Sequence, residues 1–239
     1  MTTAAARASD LSRQLDEVIQ TINARTFRHL APTRAAVSTM TITASLNVRR
    51  VCRDSMMIAL SLVEGDGPLL ASEAKTHKRK RSSVFFNQIT MRHGTKSVKV
   101  FYNGSMHVTG CTSPAEFWEV ATAVCNFMSD TVAPQTTDGS EVVCIQGFDV
   151  QMINVNFGAG MELYLKGLRD TCAALGYMAS YDADTYPGLN VKLPIGERHV
   201  TVLLFKSGKV IITGAKTAAE LDTAHRMITD VLDAVDAQK

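Results

Sequence analysis

With 239 residues, 46% of them hydrophobic and 20% charged, the chain has the composition of an ordinary globular protein with a sizeable core. No apolar run reaches the roughly 18 residues that would span a bilayer, and the stretch from Met1 to Arg13, rich in Ala and Thr with two arginines, does not read as a signal peptide. The net charge is +2, and the cysteines, five in number with no C-x-x-C spacing and no accompanying His cluster, argue against a disulfide framework or structural zinc; they read as buried free thiols in a reducing compartment, with no cofactor or metal expected.

In chain order, Leu11, Leu15, Val18, Ile19 and Ile22 line one face of a helix of about 18 residues, which either packs on the domain or binds a partner. A strand is predicted over Val37 to Ala44, then a short helical stretch over Val48 to Leu62. The segment Lys75-Thr-His-Lys-Arg-Lys-Arg81 carries five positive charges in seven positions. A solvated loop, a phosphate-facing patch and a nuclear-import signal all fit that run. Val98 to Gly110 reads as a hairpin turning at Asn103-Gly104, with Val98, Val100, Met106 and Val108 on the core face and Lys99, Phe101, His107 and Thr109 on the other. Ser113-Pro114-Ala115-Glu116 is a capping box opening a helix whose Phe117, Val120, Ala121, Val124 and Met128 recur at helical spacing.

Ser129 to Ser140 reads as a loop. Beyond it come a strand at about Phe148 to Phe157 and a helical stretch near Met161 to Leu175. A second hairpin, Val202 to Gly214, turns at Ser207-Gly208; Val202, Leu204, Val210 and Ile212 face the core, and Thr201, Leu203, Phe205, Ile211 and Thr213 face away from it. Thr217 to Glu220 repeats the capping device ahead of Leu221, Ala224, Met227, Ile228, Val231 and Leu232. A sheet face that keeps Phe, Leu and Ile opposite a real core is either covered or binds something.

The two hairpins match at a constant offset of 104, pairing Phe101 with Phe205, Gly104 with Gly208, and Thr109-Gly110 with Thr213-Gly214. Two units of about 90 to 100 residues with one element order imply a two-repeat protein. The expected division is an N-terminal helical extension at 1–31, a first repeat at 32–129, a linker at 130–140 and a second repeat at 141–239.

Tyr186-Pro-Gly-Leu189, followed by Phe205-Lys-Ser-Gly-Lys-Val-Ile-Ile-Thr-Gly-Ala-Lys216, resembles the second repeat of TATA-box-binding proteins, which shows Phe-Pro-Gly-Leu and then Phe-x-Ser-Gly-Lys-x-x-x-Thr-Gly-Ala-Lys. Phe101 to Gly110 is similar to a diverged first repeat, and Phe85 to Met91 resembles the TATA-binding-like proteins of large DNA viruses. The resemblance covers about Pro32 to Ala237. It implies an α+β fold: a two-repeat saddle with a ten-stranded, curved antiparallel sheet and helices on the convex face. It further implies that the concave face lies in the DNA minor groove, where apolar wedges kink the duplex.

Carried over by position, the resemblance makes Phe101 and Phe205 inner wedges and Tyr186 an outer wedge, with Phe85, backed by Phe86, as the other. It places Val37, Thr39, Lys99, His107, Thr109, Val150, Thr201, Leu203, Ile211 and Thr213 along the groove, and Lys192, Lys209 and Lys216 at phosphates. Asp182 and Asp184 match acidic positions that meet an initiation factor B-like partner. Ala35 and Phe148 stand where the family has base-reading asparagines, and Ser105, Thr90 and Thr112 replace basic positions of the first repeat, which predicts a relaxed A·T preference. His107 is expected to titrate near the ordinary value of about 6.5. The function implied is that of a non-enzymatic transcription initiation factor, in the nucleus or a viral replication compartment, that bends A·T-rich double-stranded DNA and recruits the RNA polymerase machinery. The alternative keeps the fold as a protein-binding scaffold, whose concave face can also pair with itself.

Overall fold

The computed structural model describes residues 3–62, 69–71, 88–131 and 135–236. Five helices are present among them: α1 Ala4–Asn23, α2 Arg53–Leu62, α3 Pro114–Thr131, α4 Leu165–Ala174 and α5 Ala218–Asp236. The strands are β1 Ala36–Leu46, β2 Val48–Arg50, β3 Leu70–Ala71, β4 Gln88–His93, β5 Lys96–Phe101, β6 Ser105–Cys111, β7 Gln135–Thr136, β8 Ile145–Gly158, β9 Met178–Asp182, β10 Tyr186–Ile195, β11 Arg198–Phe205 and β12 Lys209–Ala215. The chain divides into two compact units, each discontinuous: Met1–Ser9 with Thr41–Val150, and Asp10–Met40 with Gln151–Lys239.

The ten strands of the large sheet divide five and five, in the order β3-β4-β5-β6-β1 and in the order β9-β10-β11-β12-β8. These are the same list, element for element, as the repeat at offset 104 requires. Neighbours along each hairpin run antiparallel: β4 with β5, β5 with β6, β10 with β11 and β11 with β12. The fold is α+β, as expected.

Period-two alternation explains the ladders. In the first unit Val98, Val100, Met106 and Val108 are wholly buried, and in the second Val202, Leu204, Val210 and Ile212 are too. Each such side chain contributes roughly 1.5–3 kcal/mol on leaving water. Helix α3 lies on β6, and α5 lies on β10, β11 and β12, so the buried parity is the helix-facing one. The capping boxes form with a one-residue shift. Ser113 Oγ accepts the Glu116 N–H at 3.2 Å, while the Glu116 carboxylate accepts the Thr112 N–H at 2.8 Å. Thr217 Oγ1 and Glu220 repeat this at 3.1 Å and 2.7 Å, the latter on the Lys216 N–H.

The same hairpin device recurs in both units. The Leu46 N–H donates to Gly104 O and the Val51 N–H to Tyr102 O; the Ala159 N–H donates to Gly208 O and the Leu163 N–H to Lys206 O. The chain leaving the first strand of each unit is thus clamped across the hairpin tip. A Cβ at Gly104 would meet Val48 Cγ2 at 2.7 Å, and one at Gly208 would collide with the Met161 carbonyl; both glycines also hold positive φ, 78° and 84°.

That clamp corrects two expected helices. Val48 to Arg50 is strand, and α2 starts only at Arg53; likewise α4 starts at Leu165 rather than Met161. The expected loop over Ser129 to Ser140 also contains β7, which pairs with β2 through Val48 and Thr136. Asn47, 1% exposed, holds this corner together. Its Nδ2 donates to Val142 O at 3.0 Å and its Oδ1 accepts the Cys144 N–H at 2.8 Å. All five cysteines are free, but only Cys111, Cys125 and Cys172 are buried; Cys52 and Cys144 are exposed, which corrects the expectation of five buried thiols. Cys52 lies just before α2, and the Cys144 backbone is tied to the Asn47 corner through its N–H.

Candidate functional site

In the second unit the sheet face turned away from the helices is set out by register. Lys192 stands opposite Thr201, and Thr201 opposite Thr213. One step along, Asn190 stands opposite Leu203, Leu203 opposite Ile211, and Ile211 opposite Asn156. One step further, Gly188 stands opposite Phe205. Thr201, Leu203, Phe205, Ile211 and Thr213 are all half-buried, so this face keeps an apolar centre that its own helices do not cover.

The end of this face carries two rings. Tyr186 and Phe205 meet edge-on with centroids 6.0 Å apart, and Tyr186 is 42% exposed. Gly188 makes the room for them: a Cβ there would lie 2.8 Å from Tyr186 Cε1 and 3.0 Å from Phe205 Cε1. The Tyr-Pro-Gly-Leu string is therefore a ring-pair device, in which the glycine serves packing rather than a left-handed turn.

Three cations flank the face. Lys192 and Lys209 are exposed. Lys216 Nζ donates to Gln151 Oε1 at 3.2 Å, so its charge is partly committed within the fold. Val37 and Thr39, both half-buried on β1, share its outward parity. Asp182 accepts the Asp184 N–H at 3.1 Å and the Thr185 hydroxyl at 2.7 Å; these bonds hold its carboxyl below the usual range and commit it to the β9–β10 turn, leaving Asp184 exposed.

In the first unit the equivalent face is polar. Thr90 opposes Lys99, which opposes His107; Arg92 opposes Ser97, which opposes Thr109; Gln88 opposes Phe101. His107 packs on Phe101 with centroids 4.8 Å apart. Burial, and then the neighbouring Lys99, hold His107 below its ordinary pKa, so protonation sets in at lower pH than the sequence reading expected. Val150 is half-buried near the end of this unit's share of β8. Phe85 and Phe86 lie outside the described residues, as does the Lys75 to Arg81 run.

Register also shows what sequence reasoning missed. Arg92 faces Ser97 as Lys192 faces Thr201, so the first unit does hold a counterpart of Lys192, two residues beyond Thr90. Ala35 and Phe148 are 2% and 5% exposed, and neither lies on the open face. The Ala35 N–H donates to Asn23 Oδ1 at 2.7 Å, while Phe148 packs on Phe117 at 5.4 Å with the Arg7 guanidinium 5.2 Å from its ring. The asparagines that do stand on the outward parity are Asn154, Asn156 and Asn190, a signal available in the Asn-Val-Asn spacing within β8.

Residues 147–235 match the family described as transcription factor TFIID, or TATA-binding protein. A TATA-box-binding protein of Pyrobaculum islandicum is 32% identical over 85 residues, covering 36% of this chain and 40% of that one. A TATA-box-binding protein-like protein of Acanthamoeba polyphaga mimivirus is 24% identical over 186 residues, covering 66% of this chain and 50% of that one. The match to these two curated relatives therefore spans half their length or less. Among solved structures, Methanococcus jannaschii TBP superposes with a TM-score of 0.58 at 17% identity, covering 84% of this chain and 98% of that chain, which shows a shared fold.

Proposed function

From the premise that this chain is a diverged protein of the TATA-binding-protein family, we propose that it is a non-enzymatic transcription factor. It binds duplex DNA in the minor groove and bends it. The observation that carries this reading is the Tyr186–Phe205 ring pair beside the uncovered Leu203 and Ile211 strip. Rings placed at the end of an apolar sheet face suit insertion between base steps. Unstacking costs a few kcal/mol per step, and the bent duplex offsets this with contact area. Thr201, Thr213 and, in the first unit, Thr109 are placed to meet the groove, and Phe101 is the first unit's inner ring. Val37, Thr39 and Val150, half-buried on the first strand of each repeat, extend the groove contact. Lys99 and His107 bring a cation and a donor to a narrow A·T groove, whose negative potential attracts both. Lys192, Lys209 and Lys216 meet phosphates, with Phe85 or Phe86 as the remaining wedge. Asp184, exposed beside the β9–β10 turn, is the acidic contact for an initiation factor B-like protein through which the polymerase machinery is recruited.

End-to-end energy transfer on a short labelled A·T-rich duplex tests the proposal. The donor–acceptor distance is expected to shorten on saturation with protein. Saturable binding at an unchanged distance overturns the wedge mechanism.

A further inference from the structure

We propose that Asn154, Asn156 and Asn190 are the base-reading residues of the second unit and set its sequence preference. The inference rests on the DNA-binding reading above and adds the source of specificity. The positions where asparagine was expected are occupied by Ala35 and Phe148, both buried and turned into the protein, so neither reaches a ligand on the open face. The polar atoms that do reach it belong to other residues. Asn156 and Asn190 end a row across four strands, with Ile211 and Leu203 between them. At about 4.8 Å between strands, the two amides stand about 14 Å apart, a span of roughly four base-pair steps at about 3.4 Å each. Asn154 lies two residues before Asn156 on the same parity, opposite the irregularity between Ile212 and Ala215.

Two of these amides are incompletely bonded. The Oδ1 atoms of Asn154 and Asn156 are shut off from solvent and have no hydrogen-bond partner among the described residues. A buried carbonyl oxygen without a donor destabilises the fold, so the amide needs a reason beyond packing. With Oδ1 turned inward, the Nδ2 side of each carboxamide is the outward one. Nδ2 donates only. The floor of the minor groove offers acceptors, adenine N3 and thymine O2, at A·T pairs, while guanine adds an N2 amino donor that meets an Nδ2 donor badly. Leu203 and Ile211 exclude water between the amides, so a donor facing guanine finds no substitute acceptor. The row therefore selects A·T pairs at fixed positions, a sharper preference than groove shape alone provides.

The test uses the full chain and the near-isosteric variants Asn154→Leu, Asn156→Leu and Asn190→Leu. Duplexes bound from a random pool at a stated salt concentration are sequenced, and affinities are then measured for matched duplexes with single A·T-to-G·C changes. The wild-type chain is expected to enrich A·T pairs at positions about four steps apart. Each variant is expected to lose at least tenfold in discrimination at its own position, read as the ratio of affinities for the A·T and G·C duplexes. Asn154→Leu and Asn156→Leu are also expected to keep or raise Tm, since each removes an unbonded oxygen. Unchanged preferences in the variants, enrichment of G·C at these positions, or a fall in Tm that shows the amide to be bonded within the fold overturns the inference while leaving DNA binding intact. A wild-type chain that retains no duplex overturns the DNA-binding reading and this inference together.

Discussion

Gly188 and Gly208 look alike in the sequence and do different things in the structure. Gly188 has ordinary backbone and makes space for the rings of Tyr186 and Phe205. Gly188→Ala is expected to splay that pair while the fold survives. Duplex affinity should fall about tenfold, or about 1.4 kcal/mol, with less bending, as read by anisotropy titration and energy transfer. Gly208 has φ 84° and faces the Met161 carbonyl. Gly208→Ala is expected to cost at least about 2 kcal/mol in urea unfolding, from left-handed strain and a backbone collision together. A tolerated Gly208→Ala would show that the hairpin tip is not clamped there. Much of this was legible from alternation, which separates the core and open faces of both hairpins residue by residue. The reading of β8 was not. Phe148 shares its parity with Asn154 and Asn156 yet is buried on Phe117, and it belongs to the first unit while the two asparagines belong to the second.

At the scale of elements, the starts of α3 and α5 were the most legible parts of the chain, because a cap is a local pattern of hydroxyl and carboxylate, while the uncapped start of α4 at Leu165 left no such mark. Thr217→Ala is expected to remove about 1 kcal/mol of stability by freeing the Glu220 N–H, and a urea melt within error of wild type would show the cap to be idle. The strands β2 and β7 were illegible for the opposite reason: their extended backbone depends on partners far away in sequence, Thr136 for Val48 and Gln135 for Arg50. Helix α5 carries a titration of its own. His225, 2% exposed, packs on Phe157 at 4.9 Å and accepts from Arg25 at 2.8 Å, and Arg25 also pairs with Asp222 at 2.6 Å. Burial, then the Arg25 charge, pushes the imidazole down to about 4. The unfolded chain, with an ordinary value of about 6.5, binds this proton first. Stability is therefore full above pH 6.5 and falls as pH drops from there towards 4. The urea midpoint should be lower at pH 5 than at pH 7 in wild type and less so in His225→Gln, whose amide oxygen still accepts from Arg25. Equal slopes in the two proteins would remove His225 as the cause.

Across the whole molecule, the net charge of +2 is small, so salt-dependent binding has to come from particular cations. Each phosphate contact adds about 0.9 to the slope of log affinity against log salt. Lys209→Ala and Lys192→Ala should each lower that slope by about 0.9, and Arg92→Ala should do the same from the first unit. Lys216→Ala should lower it less, since Lys216 Nζ is already bonded to Gln151. Slopes unchanged across all four variants would contradict phosphate contact at these sites. The division of the chain has another consequence, for synthesis. The second unit is assembled from Asp10–Met40 and Gln151–Lys239, and Arg25 must wait for Asp222, 197 positions later, to leave the ribosome. Until then Leu15, Ile22 and Leu30, all buried at the end, have no completed core to enter. The first unit can close while its sister is barely begun, and residues 10–40, which lie between the two pieces of the first unit, stay out as a loose apolar loop that a chaperone can hold and a protease can cut. A nascent chain stalled after residue 150 should accordingly be clipped between residues 10 and 40, and the finished protein should resist at the same bonds.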